Sequence, residues 1–177
     1  GRPSDNPLIV HVNDSADASL FAETNETYEK LAKQFMPGPL TVILPKKDVI
    51  PDEVTGGLRT VAVRCPSNPI ARELIRRSGV PIAAPSANLS GKPSPTCAEH
   101  VMQDMDGRIA MVIDGGECEI GLESTVIAVS GNSANVLRPG AVTPDMLRSA
   151  GIAVTVDEAV TDPAKAGSAP QSPGMKY

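Results

Sequence analysis

The chain has 177 residues and a formal net charge of −5. That length suffices for one domain, which would bury roughly 70% of its unfolded surface. There is no Trp, and there are only two Phe and two Tyr, so the core must be aliphatic. No apolar run approaches the ~20 residues of a membrane-spanning helix, which argues against a membrane protein. No signal peptide is visible, so a cytoplasmic location is expected. The acidic charge argues against broad binding to a nucleic-acid backbone.

The cysteines do not indicate a metal site or a disulfide framework. Their number is odd, and they lie far apart in the sequence without a C-x-x-C pair. Reduced thiols are therefore expected at Cys65, Cys97 and Cys118.

The first half of the chain alternates apolar runs with helical periodicity. The run at 61–65 is apolar enough for a central strand. Asn68 followed by Pro69 is a typical helix start, and Gly79 is a typical helix end. In chain order, the predicted elements are a strand at 8–10, a helix at 26–35, strands at 40–44 and 61–65, and a helix from Asn68 to Gly79.

In the second half, a polar loop separates a short strand at 82–84 from a helix. Thr96 and Glu99 form a T-x-x-E capping box that predicts the start of this helix. The turn-rich segment 130–134 lies between two apolar runs and predicts a hairpin. The elements predicted after the capping box are a strand at 109–113, hairpin strands at 125–129 and 135–138, a helix from Thr143 to Gly151, and an edge strand at 152–156.

Strands that alternate with helices, together with one hairpin, predict an α/β fold with an open, mixed parallel and antiparallel sheet and flanking helices. Residues 1–156 would form this domain. The chain then becomes rich in Ala, Gly, Ser and Pro without an apolar period. Residues 157–177 are therefore predicted to be an interdomain linker or a tail.

Polar side chains follow several predicted strands. The loop after 82–84 carries Ser86 and Asn88, with Ser90 two residues further on. A strand, a polar loop and a helix start in this order are typical of ligand sites in α/β proteins, because loop amides and helix N-termini favour anions. The loop is therefore a candidate nucleotide site.

Arginines form the second recurring feature, since Arg2, Arg64 and Arg138 all lie at or beside strand ends. A guanidinium is a rigid fork of donors that suits phosphate or carboxylate. No obvious catalytic base accompanies them, so the pattern favours a site that positions anions over one that transfers protons.

Other interpretations stay open on the residues alone. His11 is equally an edge histidine, Glu123 is either a base or a solvated carboxylate, and Cys65 is either a nucleophile or an inert thiol. The G-x-G-x-x-G and Walker A spacings are absent.

Five motifs in order are specific to one family. They are Pro37-Gly-Pro-Leu-Thr41, Val63-Arg-Cys-Pro66, Ala84-Pro-Ser-Ala-Asn88 with Ser90-Gly91, Gly121-Leu-Glu-Ser-Thr-Val126, and Leu137-Arg-Pro-Gly140. In this set the chain resembles the threonylcarbamoyl-AMP synthases, the YrdC-like proteins, from Gly1 to about Ile152.

The resemblance implies a twisted open sheet around a positively lined cleft. It also implies an enzyme that makes threonylcarbamoyl-adenylate and pyrophosphate from L-threonine, bicarbonate and ATP, with Mg²⁺ carried on the ATP phosphates and no metal site of the protein's own. A threonylcarbamoyl transferase partner would then modify an adenosine of tRNA. By resemblance, Arg2, Ser86 and Asn88 would be catalytic; Arg2, Ser86, Asn88, Ser124 and Arg138 would bind ATP; and His11, Arg64 and Ser124 would bind threonine.

The chain departs from the family pattern at its start. The family has an upstream P-T-E-T-x-Y-G-L-G segment and a Lys-x-Arg-Pro motif, whereas this sequence opens at Gly1-Arg2-Pro3. The tail resembles the linker of the longer family form, which carries a second, C-terminal domain. We therefore expect residues 1–177 alone to be weakly active or inactive.

Three alternatives belong to other classes. The first is an RNA-binding module with weak tRNA contact, which the scarcity of aromatic residues disfavours. The second is a nucleotide-binding module without turnover. The third is the related domain of the carbamoyltransferases that mature hydrogenases, which carry zinc-finger cysteines that this chain lacks.

Overall fold

A seven-stranded mixed sheet organises residues 2–162, the part of the chain that this computed structural model describes. The strands are β1 (Ile9–His11), β2 (Leu40–Pro45), β3 (Thr60–Arg64), β4 (Ile82–Ala84), β5 (Thr125–Ser130), β6 (Ser133–Arg138) and β7 (Ala153–Val156). Their order across the sheet is β4-β1-β3-β2-β5-β6-β7. The pairs β1–β3, β2–β5 and β6–β7 are parallel, and the others are antiparallel. The predicted open mixed α/β sheet is confirmed, including the interior position of β3 and the edge position of β7.

Local capping signals start the long helices where the sequence predicts them. The Asn68 side chain accepts hydrogen bonds from the backbone amides of Ile70 and Ala71, and Gly79 closes the same helix with a φ of +70°. The helical elements are a 3-10 helix (Ser15–Leu20), α1 (Glu26–Phe35), α2 (Asp52–Thr55), α3 (Pro69–Ser78), α4 (Ala98–Met105), α5 (Pro144–Ser149) and α6 (Glu158–Thr161). No helix within residues 2–162 is long and apolar enough to cross a membrane.

The sheet has two unequal faces. The larger core cluster joins strand residues such as Leu44 and Ile127 to Leu31 of α1 and Leu147 of α5, all of them fully buried. The opposite face carries a small cluster of Ile43, Ala62, Val126 and Leu137. Because side chains alternate along a strand, residues two positions from this small cluster also lie on its face. That face carries the candidate site.

The predicted strand at 109–113 is wrong. Ile109, Met111 and Ile113 are 46%, 74% and 55% exposed, and no strand forms there. An apolar run becomes a strand only where its backbone groups can pair with a neighbouring strand. The described residues supply no such neighbour at this segment.

One smaller prediction also needs correction. Cys97, not Thr96, is the N-cap of α4, and the Thr96 hydroxyl lies 3.3 Å from His100 Nδ1 instead of capping the helix. The predicted linker or tail at 157–177 begins with α6, and residues 163–177 lie outside the described part. The sequence reasoning also missed the 3-10 helix and α2, which are too short to show a helical period.

Candidate anion-binding site

The ends of β1 and β3 place His11 directly opposite Arg64. His11 Nδ1 lies 3.3 Å from the carbonyl oxygen of Ile82, and Arg64 Nε donates to the carbonyl of Gly38 at 3.3 Å. A carbonyl oxygen only accepts, so the first contact requires the proton on Nδ1 and leaves Nε2 as an acceptor. Burial, and then the charge of Arg64, lower the pKa of His11 below 6.5. The imidazole is therefore neutral at pH 7.

Thr41, Val126 and Arg138 form a row across three neighbouring strands, because Val126 is opposite both of the others. Arg138 donates to the carbonyl of Ser124 from Nε at 3.1 Å and from Nη2 at 2.9 Å. Its Nη2 also donates to Ser124 Oγ at 3.1 Å, and that oxygen lies 2.7 Å from Thr41 Oγ1. Ser124 and Thr41 are buried side chains, so the row is a packed part of the sheet.

Glu123 completes this row from the solvent side. Its carboxylate forms an ion pair with Arg138 Nη1 at 2.5 Å and accepts a hydrogen bond from Ser94 Oγ at 2.6 Å. Gly140 lies against the same segment, because a Cβ there would be only 2.5 Å from the carbonyl oxygen of Glu123. The segment that leads into β5 and the turn after Arg138 are therefore in direct contact.

The charges at this end of the sheet are only partly balanced. Burial, and then the neighbouring charge of Arg138, lower the pKa of Arg64. Arg138 is paired with Glu123, whereas no carboxylate among residues 2–162 forms an ion pair with Arg64. A half-buried guanidinium beside a second one, without its own counter-charge, favours a bound anion.

The loop predicted to bind nucleotide leaves the sheet at the other end of β1. In the antiparallel pair, Ile82 is opposite His11 and Ala84 is opposite Ile9, so the chain after Ala84 runs past the start of β1. Ser86 is exposed there. Arg2 lies at the same end, where its Nη2 donates to the carbonyls of Asn6 at 3.2 Å and Pro7 at 2.7 Å.

Asn88 shapes its own loop. Its Nδ2 donates to the carbonyls of Leu89 at 3.0 Å and Lys92 at 2.8 Å. Asp104 of α4 ties the loop down from outside, because its carboxylate accepts from the backbone amide of Leu89 at 3.1 Å and from Lys92 Nζ at 2.5 Å. The loop therefore has a defined shape set by side-chain contacts.

The predicted site residues thus lie in two groups. His11, Arg64, Ser124 and Arg138 lie at one end of β1. Arg2 and the start of the loop that carries Ser86 and Asn88 lie at the other end, and the loop then returns to Glu123 through Ser94. The predicted ATP set is divided between them. A strand of three residues spans only about 7 Å, so one extended ligand can contact both groups.

Comparison with known proteins places the chain in a family. The Sua5/YciO/YrdC family model, described as telomere recombination, matches residues 1–140. The chain belongs to this family. Threonylcarbamoyl-AMP synthase of Bacillus subtilis is 51% identical over 179 residues, covering 100% of this chain and 51% of that protein. Threonylcarbamoyl-AMP synthase of Pyrococcus abyssi is 49% identical, covering 100% and 52%.

Solved structures agree with this assignment. The crystal structure of P. abyssi Sua5 complexed with L-threonine superposes with a TM-score of 0.94 at 49% identity, covering 100% of this chain and 52% of that one. Full-length HypF in its phosphate- and nucleotide-bound form shares the fold alone, with a TM-score of 0.62 at 20% identity over 75% of this chain and 21% of HypF. The chain spans about half the length of the curated Sua5/YciO/YrdC relatives named here.

The structure also shows neighbours of the candidate site that sequence reasoning missed or left open. Thr41 received no role, although it lies in the quoted Pro37–Thr41 motif. Glu123 is an ion-pair partner of Arg138, so it is neither a lone base nor simply solvated. Cys65 is buried, and burial raises the pKa of its thiol, which disfavours the nucleophile interpretation.

Proposed function

We propose that the chain is the catalytic domain of an L-threonylcarbamoyladenylate synthase. The enzyme would make threonylcarbamoyl-AMP and pyrophosphate from L-threonine, bicarbonate and ATP. The observation that carries the proposal is the half-buried Arg64, which has no carboxylate partner among the described residues and lies beside Arg138. The relatives named threonylcarbamoyl-AMP synthase, at 49–51% identity over the whole chain, support the choice of reaction.

Arg64 would pair with the carboxylate of threonine. A guanidinium without a competing carboxylate can give two parallel hydrogen bonds to such a group. The neutral His11 opposite it would contact the amino acid without adding a further positive charge. Ser124 would supply a hydroxyl to the same ligand. The relative whose structure was solved with L-threonine supports an amino-acid substrate of this kind.

ATP would extend between the two groups of residues. Arg138 and Ser124 would contact it at the Arg64 end, where charge on the reacting phosphoryl group must be neutralised. Arg2, Ser86 and Asn88 would contact it at the other end of β1. Asn88 already donates both amide contacts within its loop, so we assign it the shaping of the nucleotide loop.

The chemistry needs positioning more than covalent catalysis. The threonine nitrogen attacks the carbon of bicarbonate, an N–C bond forms, and water is lost to leave a carbamate. A carbamate oxygen then attacks the α-phosphorus of ATP, and the bond from that phosphorus to the bridging oxygen breaks as pyrophosphate leaves. Holding the two substrates in line and neutralising the developing charge supply most of the acceleration in such reactions.

Mg²⁺ would accompany ATP. Within the described ranges, no group of three His, Cys, Asp or Glu side chains could hold a metal ion. Phosphate oxygens and water are ligands that Mg²⁺ prefers, so the triphosphate itself would carry the ion. When bound, the ion would neutralise phosphate charge beside Arg138.

The product would pass to a threonylcarbamoyl transferase that modifies an adenosine of tRNA in the cytoplasm. The net charge of −5 suits at most weak direct contact of this domain with tRNA. We therefore assign tRNA recognition to the partner protein.

Pyrophosphate release tests the proposal. The full-length natural protein is incubated with ATP, Mg²⁺ and bicarbonate, with and without L-threonine, and the adenylate is identified by mass spectrometry. We expect release that requires threonine, and serine and valine serve as matched amino-acid controls. Release that is independent of threonine, or binding of ATP without any release, would contradict the proposal and favour a nucleotide-binding module.

A further inference from the structure

Two buried hydroxyl groups meet at the anion-binding end of the sheet. Thr41 Oγ1 and Ser124 Oγ lie 2.7 Å apart, and the two residues are 0% and 2% exposed. Ser124 Oγ also accepts a hydrogen bond from Arg138 Nη2 at 3.1 Å. Among residues 2–162, the hydrogen bonds to Thr41 Oγ1 come from Ser124 alone.

The number of hydroxyl protons limits how Thr41 and Ser124 can hydrogen-bond to each other. A guanidinium only donates, so Ser124 Oγ is the acceptor in its contact with Arg138. The two hydroxyls carry one proton each, and only one proton can lie between the two oxygens. The other is left over, on Thr41 if Ser124 donates and on Ser124 if Thr41 donates.

Burial is almost equal for the two residues, so their neighbours decide between the arrangements. A leftover proton on Thr41 would be buried without an acceptor among residues 2–162 and without a contact to Arg138, which is costly. A leftover proton on Ser124 lies beside Arg138, at the end of the sheet where an anion is favoured. If Thr41 donates, Ser124 Oγ accepts twice and both of its lone pairs are used. Ser124 Oγ can then accept no further hydrogen bond, so its only possible hydrogen bond to a ligand is one that it donates.

We propose that Thr41 is a positioning residue that makes Ser124 a dedicated donor to an anionic oxygen of the substrate. This inference rests on the function proposed above. The oxygen belongs either to the carboxylate or carbamate of threonine or to a phosphate of ATP. Both are anionic acceptors, so the same contact serves either one.

The test uses variants of the full-length protein. Thr41→Val removes the hydroxyl and keeps the shape of the side chain. Thr41→Ser keeps the hydroxyl and removes only the methyl group. We expect Thr41→Val to raise KM for one substrate about tenfold, the effect of roughly one hydrogen bond, and Thr41→Ser to stay within about twofold of wild type. Because Thr41 acts through Ser124, the double variant Thr41→Val/Ser124→Ala should be no worse than Ser124→Ala alone.

Thr125→Val is the matched control. Thr125 is equally buried, but its hydroxyl donates to the carbonyl of Val142 at 2.8 Å and accepts from the amide of Val142 at 3.1 Å. Its loss should reduce stability, and its effect on KM should multiply with that of Ser124→Ala. Calorimetry with threonine alone and with ATP alone identifies which substrate loses affinity in Thr41→Val.

The outcomes separate the two proposals. A wild-type enzyme without threonine-dependent pyrophosphate release overturns the proposed function and the role of Thr41 together. An active wild type whose Thr41→Val variant keeps both KM values, or combines multiplicatively with Ser124→Ala, overturns the role of Thr41 alone. A Thr41→Ser variant whose KM rises as much as that of Thr41→Val does the same, because it shows that the shape of the side chain matters and the hydroxyl does not.

Discussion

Replacing Arg64 by Met should make the protein more stable and weaken its binding of threonine. Arg64 is half-buried beside Arg138, and no carboxylate in residues 2–162 is paired with it. Met keeps a long unbranched side chain and removes the charge. Arg64→Met also loses the single 3.3 Å hydrogen bond from Nε to the Gly38 carbonyl. Relief of the burial and of the repulsion should outweigh that loss and leave a net gain of up to about 1 kcal/mol in the free energy of unfolding.

Binding should change in the opposite direction. A guanidinium paired with a carboxylate gives two charge-assisted hydrogen bonds, each contributing about 1.5 kcal/mol. Losing both costs about 3 kcal/mol, which corresponds to roughly a hundredfold increase in the Kd for threonine. The Kd for ATP should change far less, because Arg64 is assigned to the amino acid.

Isothermal calorimetry measures the two Kd values, and urea denaturation measures stability. Arg72→Met is the matched control, because Arg72 is also half-buried and donates from Nε and Nη2 to the carbonyl of Asn13 at 3.3 and 3.1 Å. It should lose about 1 kcal/mol of stability and keep its threonine affinity. An Arg64→Met variant that is less stable than wild type, or that loses threonine and ATP affinity equally, would refute the reasoning.

Three further predictions concern other parts of the chain. The pKa of His11 lies below 6.5 in the folded protein, so the unfolded chain binds more protons and stability should fall as pH drops through about 6.5. His11→Gln should flatten that part of a urea-denaturation pH series, and an unchanged slope would contradict the assignment. Asp104→Asn should loosen the 88–92 loop and raise the Kd for ATP about threefold to tenfold in calorimetry, whereas an equal effect on threonine would point to general damage. Leu31→Ala should cost about 2–5 kcal/mol in the same denaturation assay, and the exposed Leu20→Ala should cost under about 0.5 kcal/mol. Similar losses for the two leucines would contradict the core assignment.

Elements with their own start and stop signals could be predicted from sequence. Helix α3 is an example, because Asn68, Pro69 and Gly79 each act within a few residues of their position. The hairpin of β5 and β6 is another, since its turn is local. The segment 109–113 fails for the opposite reason: whether an apolar run becomes a strand depends on a pairing partner that lies elsewhere in the chain.

The same division applies to the candidate site. Residue types such as Arg64 and Ser86 indicated anion binding from their place after a strand. The contact between Thr41 and Ser124 joins residues 83 positions apart, and it exists only because β2 pairs with β5. The ion pair of Glu123 with Arg138 likewise depends on the hairpin register. No spacing in the sequence carries such information.

The contact at Gly140 divides the site into a rigid half and an adjustable half. Gly140 packs closely against the Glu123 carbonyl, and Thr125 Oγ1 makes two hydrogen bonds with the backbone of Val142. The backbone segments flanking Ser124 and Arg138 should therefore shift together. The loop that contains Ser86 and Asn88 is held mainly through side chains such as Asp104. We therefore expect accommodation to ligands of different length to occur at the loop, while the guanidinium-lined end keeps its dimensions.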